Sequence, residues 1–345
     1  MTGEEALLRY RYVAVCLALA LPVGAAAETP PAVVKLGMVG RPDSAPFQIA
    51  MKRGYFEREG IVIEPAMASS GQEFAAALAT NRIDVASGVP NAALFNALNR
   101  GIDIRIVGDE AHIDTSPTDR NVAIMARAAL MDEGAVKGPA DLKGRTIAPG
   151  PFPGQYPDLL FHKLLALGHL TESDVKVTHL AFPDAMAAMA GNTVDAAFMI
   201  EPLVRQAEDK HIAKVLMPAG AIDPGAETSI LQYSPAFAER KDEATRFMVA
   251  YLDGVRTYHD AIFSGKDRDA TITLLIQTTP LKDATIWKED MFRHTDLNGR
   301  VDVADLKRQA EFYKEQGTLA GPIPDIDRYV DPSFAEAAVK QIGER

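Results

Sequence analysis

The stretch VVKLGMVGRPDSAPFQIAMKRGYFEREGIVIEPAMA, residues 33–68 of the 345-residue chain, decides the fold. Nearly continuous apolar residues at 33–39 predict a buried strand, and an alternating pattern at 61–68 predicts a second strand. An amphipathic segment between them predicts a helix, with Ser44 as its N-cap and Pro46 in its first turn. Strand, helix and strand in this order form a βαβ unit, the building block of a parallel sheet.

The loop between the first strand and this helix, residues 40–44, is a candidate ligand site. It lies where the carboxyl end of a strand meets the amino end of a helix, so free backbone N–H groups and the positive helix terminus face it. Junctions of the same kind follow at residues 69–72, 88–91 and 149–156. Because ligands of doubly wound α/β sheets bind outside the carboxyl ends of the strands, we expect these loops to converge on one site.

The opening stretch resembles a motif of the periplasmic substrate-binding proteins that serve ABC importers of nitrate, sulfonates, taurine and thiamine pyrimidines. In that family a small residue, proline and a hydrophobic residue precede an alanine, a Gly-Tyr-Phe triplet and a glycine before an alternating strand. The matching residues are Ala45-Pro46-Phe47, Ala50, Gly54-Tyr55-Phe56 and Gly60.

Four later motifs of the same family follow in the expected order and extend the resemblance over about the whole mature chain. They are NRIDVA at 81–86, DLKGRTIA at 141–148, DAAFMIEP at 195–202 and EFYKEQG at 311–317. The first departs from the family pattern at Asn81, where relatives have glycine.

The resemblance implies an α/β chain with a type II periplasmic-binding-protein fold. In this fold two doubly wound α/β lobes are joined by a two-segment hinge, and a helical C-terminal wrap covers the first lobe. We expect lobe 1 to comprise residues 28–115 and 228–345, and lobe 2 residues 116–227. The crossing segments should lie near residues 112–121 and 220–228.

The remaining periodicity agrees with this layout. Strands are predicted at 83–90, 101–108, 121–127, 175–180, 196–200, 214–218 and 227–233. Helices are predicted at 72–81, 92–99, 159–167, 185–190, 242–263, 270–278, 283–292 and 303–316. Only helices follow residue 233, as expected of a helical wrap.

Residues 1–27 have the pattern of a cleaved export signal, which places the mature protein in the periplasm. Arg9 and Arg11 precede an apolar run at 13–21, and Ala25-Ala26-Ala27 forms a small-residue cleavage site. The apolar run is shorter than the roughly 20 residues of a spanning helix, which favours cleavage near Ala27 over a membrane anchor.

Composition excludes several classes of function. The single cysteine, Cys16, lies inside the signal, so the mature chain would have no disulfide, thiolate metal site or cysteine nucleophile. A formal net charge of −11 argues against nucleic acid as a partner, since phosphate binding needs a basic face. The histidines lack zinc-site spacing, and residues 296–299 are interpreted as a turn instead of a calcium loop. We expect no catalytic residue, metal or cofactor, and a monomer.

The candidate ligand-binding residues come from the strand-end loops and the lobe junction. They are Arg41, Ser44, Ala45, Phe47, Ser69, Ser70, Gly88, Asn91, Gly150, Phe152, Gln155, Asp184, Glu201 and Thr228. For each polar residue the alternative is helix capping or loop solvation, and Asp184 in particular is predicted to cap the helix that follows it. Phe47 and Phe152 are alternatively core residues.

Two charged candidates have open roles. Arg41 is the one cation among them, and it pairs either with a sulfonate or carboxylate of the ligand or with Asp43 and solvent. Glu201 either faces an amine or ring N–H of the ligand or simply begins a helix, whose amino end favours a carboxylate.

The resemblance implies a solute-binding protein that captures a small molecule between its lobes by hinge closure and delivers it to an ABC permease and ATPase in the inner membrane. The proline-rich, aromatic loop at 149–156 favours a ligand with an apolar or ring portion, and so an organic anion such as a sulfonate or aromatic carboxylate over nitrate. Binding of a thiamine pyrimidine or of nitrate stays an alternative. Two other classes stay open. One is a pyrimidine-forming or thiaminase-like enzyme on the same fold, and the other is a component that presents its ligand to a sensor.

Overall fold

The computed structural model describes residues 30–39, 44–68, 72–117, 120–279, 282, 284, 287 and 294–345. The predicted export signal lies outside the described residues, as do the ligand candidates Arg41, Ser69 and Ser70 and most of the predicted helix at 283–292. Residues 31–345 form one unit that contains two β-sheets.

Ten strands occur in the described part of the chain. They are β1 (Ala32–Val39), β2 (Ile61–Ala68), β3 (Val85–Gly88), β4 (Arg105–His112), β5 (Val122–Arg127), β6 (Thr146–Ala148), β7 (Lys176–Val177), β8 (Ala196–Ile200), β9 (Ala213–Pro218) and β10 (Glu227–Tyr233).

The described helices flank these strands and continue after them. They are α1 (Ala45–Lys52), α2 (Tyr55–Arg58), α3 (Gln72–Ala79), α4 (Ala92–Asn99), α5 (Ala128–Asp132), α6 (Tyr156–Leu167), α7 (Phe182–Ala190), α8 (Leu203–Asp209), α9 (Ala219–Ile222), α10 (Pro235–Glu239), α11 (Lys241–Phe263), α12 (Arg268–Thr278), α13 (Val303–Glu315), α14 (Ile326–Tyr329) and α15 (Ser333–Ile342).

The two sheets have the same mixed topology. The first has the order β2-β1-β3-β10-β4 and the second β7-β6-β8-β5-β9. In each sheet one strand runs antiparallel to both of its neighbours: β10 in the first sheet and β5 in the second. Each of these strands enters its sheet from the other one, which explains its reversed direction. The fold is therefore α/β with two sheets and flanking helices, as expected.

The chain passes between the sheets twice, through residues 113–121 and 219–226. The two crossing segments lie side by side. The Ile113 N–H donates to the Ala226 carbonyl oxygen at 2.9 Å, and the Gly225 N–H donates to the Ile113 carbonyl oxygen at 3.0 Å. A Cβ on Gly220 would lie only 2.4 Å from the Ser116 carbonyl oxygen, so this approach requires glycine.

The predicted fourth strand, residues 101–108, is displaced toward the C-terminus. Gly101 has φ of 77° and closes the turn after α4, which only glycine does without strain. The strand therefore begins at Arg105 and ends at His112, and the apolar side chain of Ile104 is buried before it starts.

The long helix α11 carries the C-terminal wrap. Its predicted apolar stripe is buried, and Phe47 of α1 packs on Tyr251 with ring centroids 4.7 Å apart. Gly254 lets the two helices approach closely, because an added Cβ would lie 2.4 Å from the Pro46 carbonyl oxygen. The short helix α14 and the longer α15 were not predicted, although Phe334 of α15 belongs to the same core.

Candidate functional site

Two strand-end loops, one from each sheet, meet at the amino end of α4. The Ala92 N–H, in the first turn of that helix, donates to the Gly154 carbonyl oxygen at 3.0 Å. Gly154 has φ of 75°, and a Cβ there would lie 3.1 Å from the Ala92 Cβ. Two of the four loops that were expected to converge, residues 88–91 and 149–156, are thus in direct contact.

Asn91 stands at the centre of this contact. Its Oδ1 accepts from the Leu94 N–H at 2.9 Å, which makes it the N-cap of α4, as predicted. Asn91 is only 3% exposed, and its Nδ2 is buried with no hydrogen-bond partner among the described residues. An unsatisfied buried donor costs about 1–3 kcal/mol, so this amide is suited to bind an acceptor atom brought by a ligand.

The loop of the second sheet presents both polar and aromatic groups. The Gly154 N–H donates to Asp158 Oδ2 at 3.1 Å, and the Gly150 carbonyl oxygen lies 3.2 Å from His179 Nδ1. Gln155 occupies the N-cap position of α6, but its side chain makes no capping hydrogen bond. Phe152 is 54% exposed, so its ring belongs to the loop surface and not to the core.

Four predicted ligand residues of the first sheet are more buried than the exposed Phe152. Ser44 is buried at the N-cap position of α1 but makes no capping hydrogen bond, while Ala45 and Phe47 are fully buried. Gly88 is buried within β3, where an added Cβ would lie 2.3 Å from the Gln232 side chain. The side chains of Ala45 and Phe47 are therefore not exposed to a ligand, and Gly88 has none, so these three residues could offer only backbone groups.

In the second sheet, Asp184 departs from its prediction, whereas Glu201 follows one of its two predicted alternatives. Asp184 does not cap α7, because Pro183 suits a first turn and the helix already begins at Phe182, with Ala181 as N-cap. Asp184 is instead an exposed residue of that turn. Glu201 is buried, and its Oε2 accepts from the Arg205 N–H at 3.2 Å, which favours the helix-start interpretation of this residue.

Thr228 lies on β10, two residues before Ile230, which pairs with Gly88 of β3. Its hydroxyl donates to the Ala111 carbonyl oxygen at 2.9 Å and so joins β10 to β4. This bond gives the threonine a structural role at the start of the returning strand.

The sequence did not predict that α13 contacts this site. The Tyr313 hydroxyl donates to the Pro90 carbonyl oxygen at 3.3 Å, next to Asn91. Phe312 packs against His162 of α6, with ring centroids 5.2 Å apart and the rings edge to face. Both residues belong to the motif at 311–317, so the signal was present in the sequence, but the motif does not show which loop its tyrosine contacts.

The described residues hold no group of three or more histidine, cysteine, aspartate or glutamate side chains placed to bind a metal ion. None of the described helices combines the length and apolar character needed to cross a bilayer.

Sequence and structure comparisons relate the chain to known proteins. A sequence model of the NMT1-like family matches residues 27–254. No curated protein matches the chain by sequence.

Three solved structures illustrate the similarity in fold. The periplasmic aliphatic sulphonate-binding protein SsuA from Escherichia coli superimposes with a TM-score of 0.70 and 20% identity, over 87% of this chain and 92% of that one. The alkanesulfonate-binding protein SsuA from Xanthomonas axonopodis pv. citri, bound to MOPS, gives 0.67 and 19%, over 88% and 99%. The periplasmic nitrate-binding protein NrtA from Synechocystis PCC 6803 gives 0.70 and 14%, over 91% and 89%. At these identities the likeness shows a common fold.

Proposed function

Because the chain belongs to the NMT1-like family, we propose that it is the solute-binding component of an ABC importer, exported to the periplasm and without catalytic activity. The fold that it shares with sulfonate-binding and nitrate-binding proteins supports this role. Its partners would be a small solute and the permease and ATPase of the importer.

The solute would bind where the loops of the two sheets meet. The buried Nδ2 of Asn91, which has no hydrogen-bond partner among the described residues, is the observation that carries this proposal, because it offers a donor at the amino end of a helix. Both features favour an anionic acceptor. The exposed ring of Phe152 in the facing loop would contact an apolar or aromatic portion. A small organic anion, such as a sulfonate or aromatic carboxylate, meets both requirements.

Capture would proceed by hinge closure about the two crossing segments, with residues 28–115 and 228–345 as one lobe and 116–227 as the other. The bond between Ala92 and Gly154 joins the two halves and belongs to the closed form in this proposal. A solute shifts the molecule toward that form only if it binds the closed form more tightly than the open one.

A thermal-shift screen tests this function. Alkanesulfonates, aromatic carboxylates, nitrate and thiamine pyrimidines are each added to the purified chain, and the solute is recovered afterwards and analysed. We expect an organic anion at about 100 times its dissociation constant to stabilise the protein by roughly 2.7 kcal/mol and to be recovered unchanged. Stabilisation by nitrate alone would contradict the organic-anion proposal, and a chemically altered solute would contradict the binding role.

A further inference from the structure

The two strands that lead to the crossing segments meet at one junction. Strand β4 ends at His112 and β10 begins at Glu227, and these two residues are partners in the antiparallel register. One crossing segment leaves after His112, and the other arrives before Glu227. A change in the contacts between β4 and β10 at this point would therefore affect both crossing segments at once.

Two carboxyl groups are buried at this junction. Asp109 is 0% exposed and Glu227 is 2% exposed. Glu227 Oε1 accepts from the Asp302 N–H at 2.7 Å, and Asp109 Oδ2 accepts from the Asp296 N–H at 2.6 Å. His112 Nδ1 lies 2.8 Å from the same Asp109 oxygen.

The second oxygen of each carboxyl group has no such donor. Glu227 Oε2 and Asp109 Oδ1 are both buried, and neither finds a hydrogen-bond partner within the described part of the chain. The two strands pair with each other at this junction, and the negative charge of Asp109 acts on the Glu227 carboxyl. Two acceptors cannot bond to one another, but a single proton on either of them would satisfy both.

Burial raises the pKa of the Glu227 carboxyl to about 10, with the negative charge of Asp109 as the next largest cause. The charged and titratable groups around Glu227 give little compensation. They are Asp109 and His112 on β4, Asp296 in the segment that packs on β4, Tyr251 on α11, whose hydroxyl donates to the Asp109 carbonyl oxygen, Asp302 at the N-cap of α13, and Asp305 and Arg308 on α13.

We propose that Glu227 is protonated at neutral pH and donates a hydrogen bond to Asp109, and that this shared proton holds together the strand junction from which both crossing segments leave. The presence of this proton does not depend on the proposed solute. Its effect on the crossing segments as a hinge rests on the proposed function.

Glu227 also links the junction to the C-terminal wrap. Its N–H donates to Asp305 Oδ2 at 2.9 Å, and its carbonyl oxygen accepts from Gln309 Nε2 at 2.8 Å. Both partners lie on α13, which contacts α6 of the second sheet through Phe312. Loss of the proton would place an additional negative charge beside Asp109 and Asp305, and would loosen β10 from both β4 and α13.

The sign of the pH dependence follows from the direction of the shift. A carboxyl group whose pKa is higher in the folded state than in the unfolded state holds extra protons in the fold, so stability falls as pH rises between the two values. One such group makes the unfolding equilibrium constant grow about tenfold per pH unit, from near pH 4.5 to about pH 10.

His112 also loses stabilisation as pH rises, and it must be separated from Glu227. Burial lowers the pKa of His112, but the hydrogen bond to Asp109 and the charges of Asp109, Asp296 and Asp114 outweigh it and raise that pKa above its usual value. A His112→Gln variant removes this contribution and leaves that of Glu227.

The test is denaturant unfolding of the purified chain without solute, from pH 8 to 9.5. The variants are Glu227→Gln, His112→Gln and, as a control, Glu64→Gln, which changes an exposed residue of the same sheet. We expect the unfolding constant to rise about tenfold per pH unit in the parent chain, the Glu64 variant and the His112 variant. In the Glu227 variant this rise should be absent. An equal rise in that variant would overturn the proposal.

Infrared spectroscopy supplies a second measurement that a merely structural role would not change. At pH 8 the parent chain should show the carbonyl stretch of a buried protonated carboxylic acid, and the Glu227→Gln chain should lack it. If the glutamine variant does not fold, Asp109→Asn replaces it, because its amide offers Glu227 a donor and removes the need for the proton. The alkaline rise should then be lost as well, and its persistence would refute the shared proton.

Hydrogen exchange at pH 9 tests the effect on the crossing segments. Amides at 113–117 and 219–226 should exchange faster in the parent chain than in Glu227→Gln at the same pH, and equal rates would refute a role in the hinge. Because no solute is present in any of these measurements, their outcome is independent of whether the proposed importer function holds.

Discussion

At the scale of single residues, some candidate side chains make contacts within the fold, and others keep a group that a ligand could bind. The side chain of Phe47 is buried in the core. Those of Glu201 and Thr228 form hydrogen bonds with backbone groups. Asn91 differs, because only one end of its amide caps α4. The other end is buried with no partner among the described residues.

Replacing Asn91 with aspartate separates the cap from the donor. Asn and Asp are about equally good N-caps, so Asn91→Asp should keep the cap of α4, and its unfolding temperature is measured alongside to separate a loss of stability from a loss of binding. It loses the Nδ2 donor and gains a negative charge, and a hydrogen bond to a charged group contributes about 1.5–3 kcal/mol. We expect the affinity for an organic anion, measured by calorimetry, to fall at least about tenfold.

Asn81→Asp is the matched control for this experiment. Asn81 Oδ1 accepts from the Ala236 N–H at 3.1 Å, so this variant introduces the same charge and keeps an acceptor, but away from the loop contact. Its affinity should stay within about twofold of the parent chain. Equal losses in both variants would mean that net charge, and not the Asn91 amide, controls binding.

At the scale of elements, the packing of α1 on α11 depends on a missing side chain. Because a Cβ on Gly254 would lie 2.4 Å from the Pro46 backbone oxygen, the two helices must separate if a methyl group is added. Overpacking of this kind costs about 1–3 kcal/mol, which exceeds the gain in helix propensity of about 1 kcal/mol from replacing glycine by alanine.

We therefore expect Gly254→Ala to lower the free energy of unfolding in urea by roughly 1–2 kcal/mol. Gly138→Ala is the control, because nothing lies within 4 Å of an added Cβ there and its φ of −167° is open to any residue. A Gly254→Ala chain as stable as this control would show that the two helices adjust at no cost.

At the scale of the whole molecule, the proposed closure predicts a change in shape. Solution X-ray scattering on the purified chain should show a smaller radius of gyration with a saturating organic anion than without it, because the solute favours the closed form. Asn91→Asp at the same anion concentration should keep the larger radius. An unchanged radius in the parent chain would contradict hinge closure.

Local signals in the sequence were enough to place many elements. The bounds of β2, α4, β8 and β10 agree with the prediction at both ends. Alternation, apolar runs and caps are properties of neighbouring residues, which is why they can be read without the fold. Errors occurred where a local signal was ambiguous, as at Gly101, or overlooked, as at Pro183.

The sequence by itself determined the order of strands and helices, the helical C-terminal wrap and the family motifs. Only the tertiary structure decided which polar side chains form hydrogen bonds within the fold and which keep an unpaired group among the described residues. It also brought Asp109 and Glu227 together on two antiparallel strands. The physical reason is that a side chain's partner depends on non-local strand pairing and helix packing, which a local pattern does not encode. Burial at that junction raises the pKa of the Glu227 carboxyl to about 10, which supports the proposed shared proton.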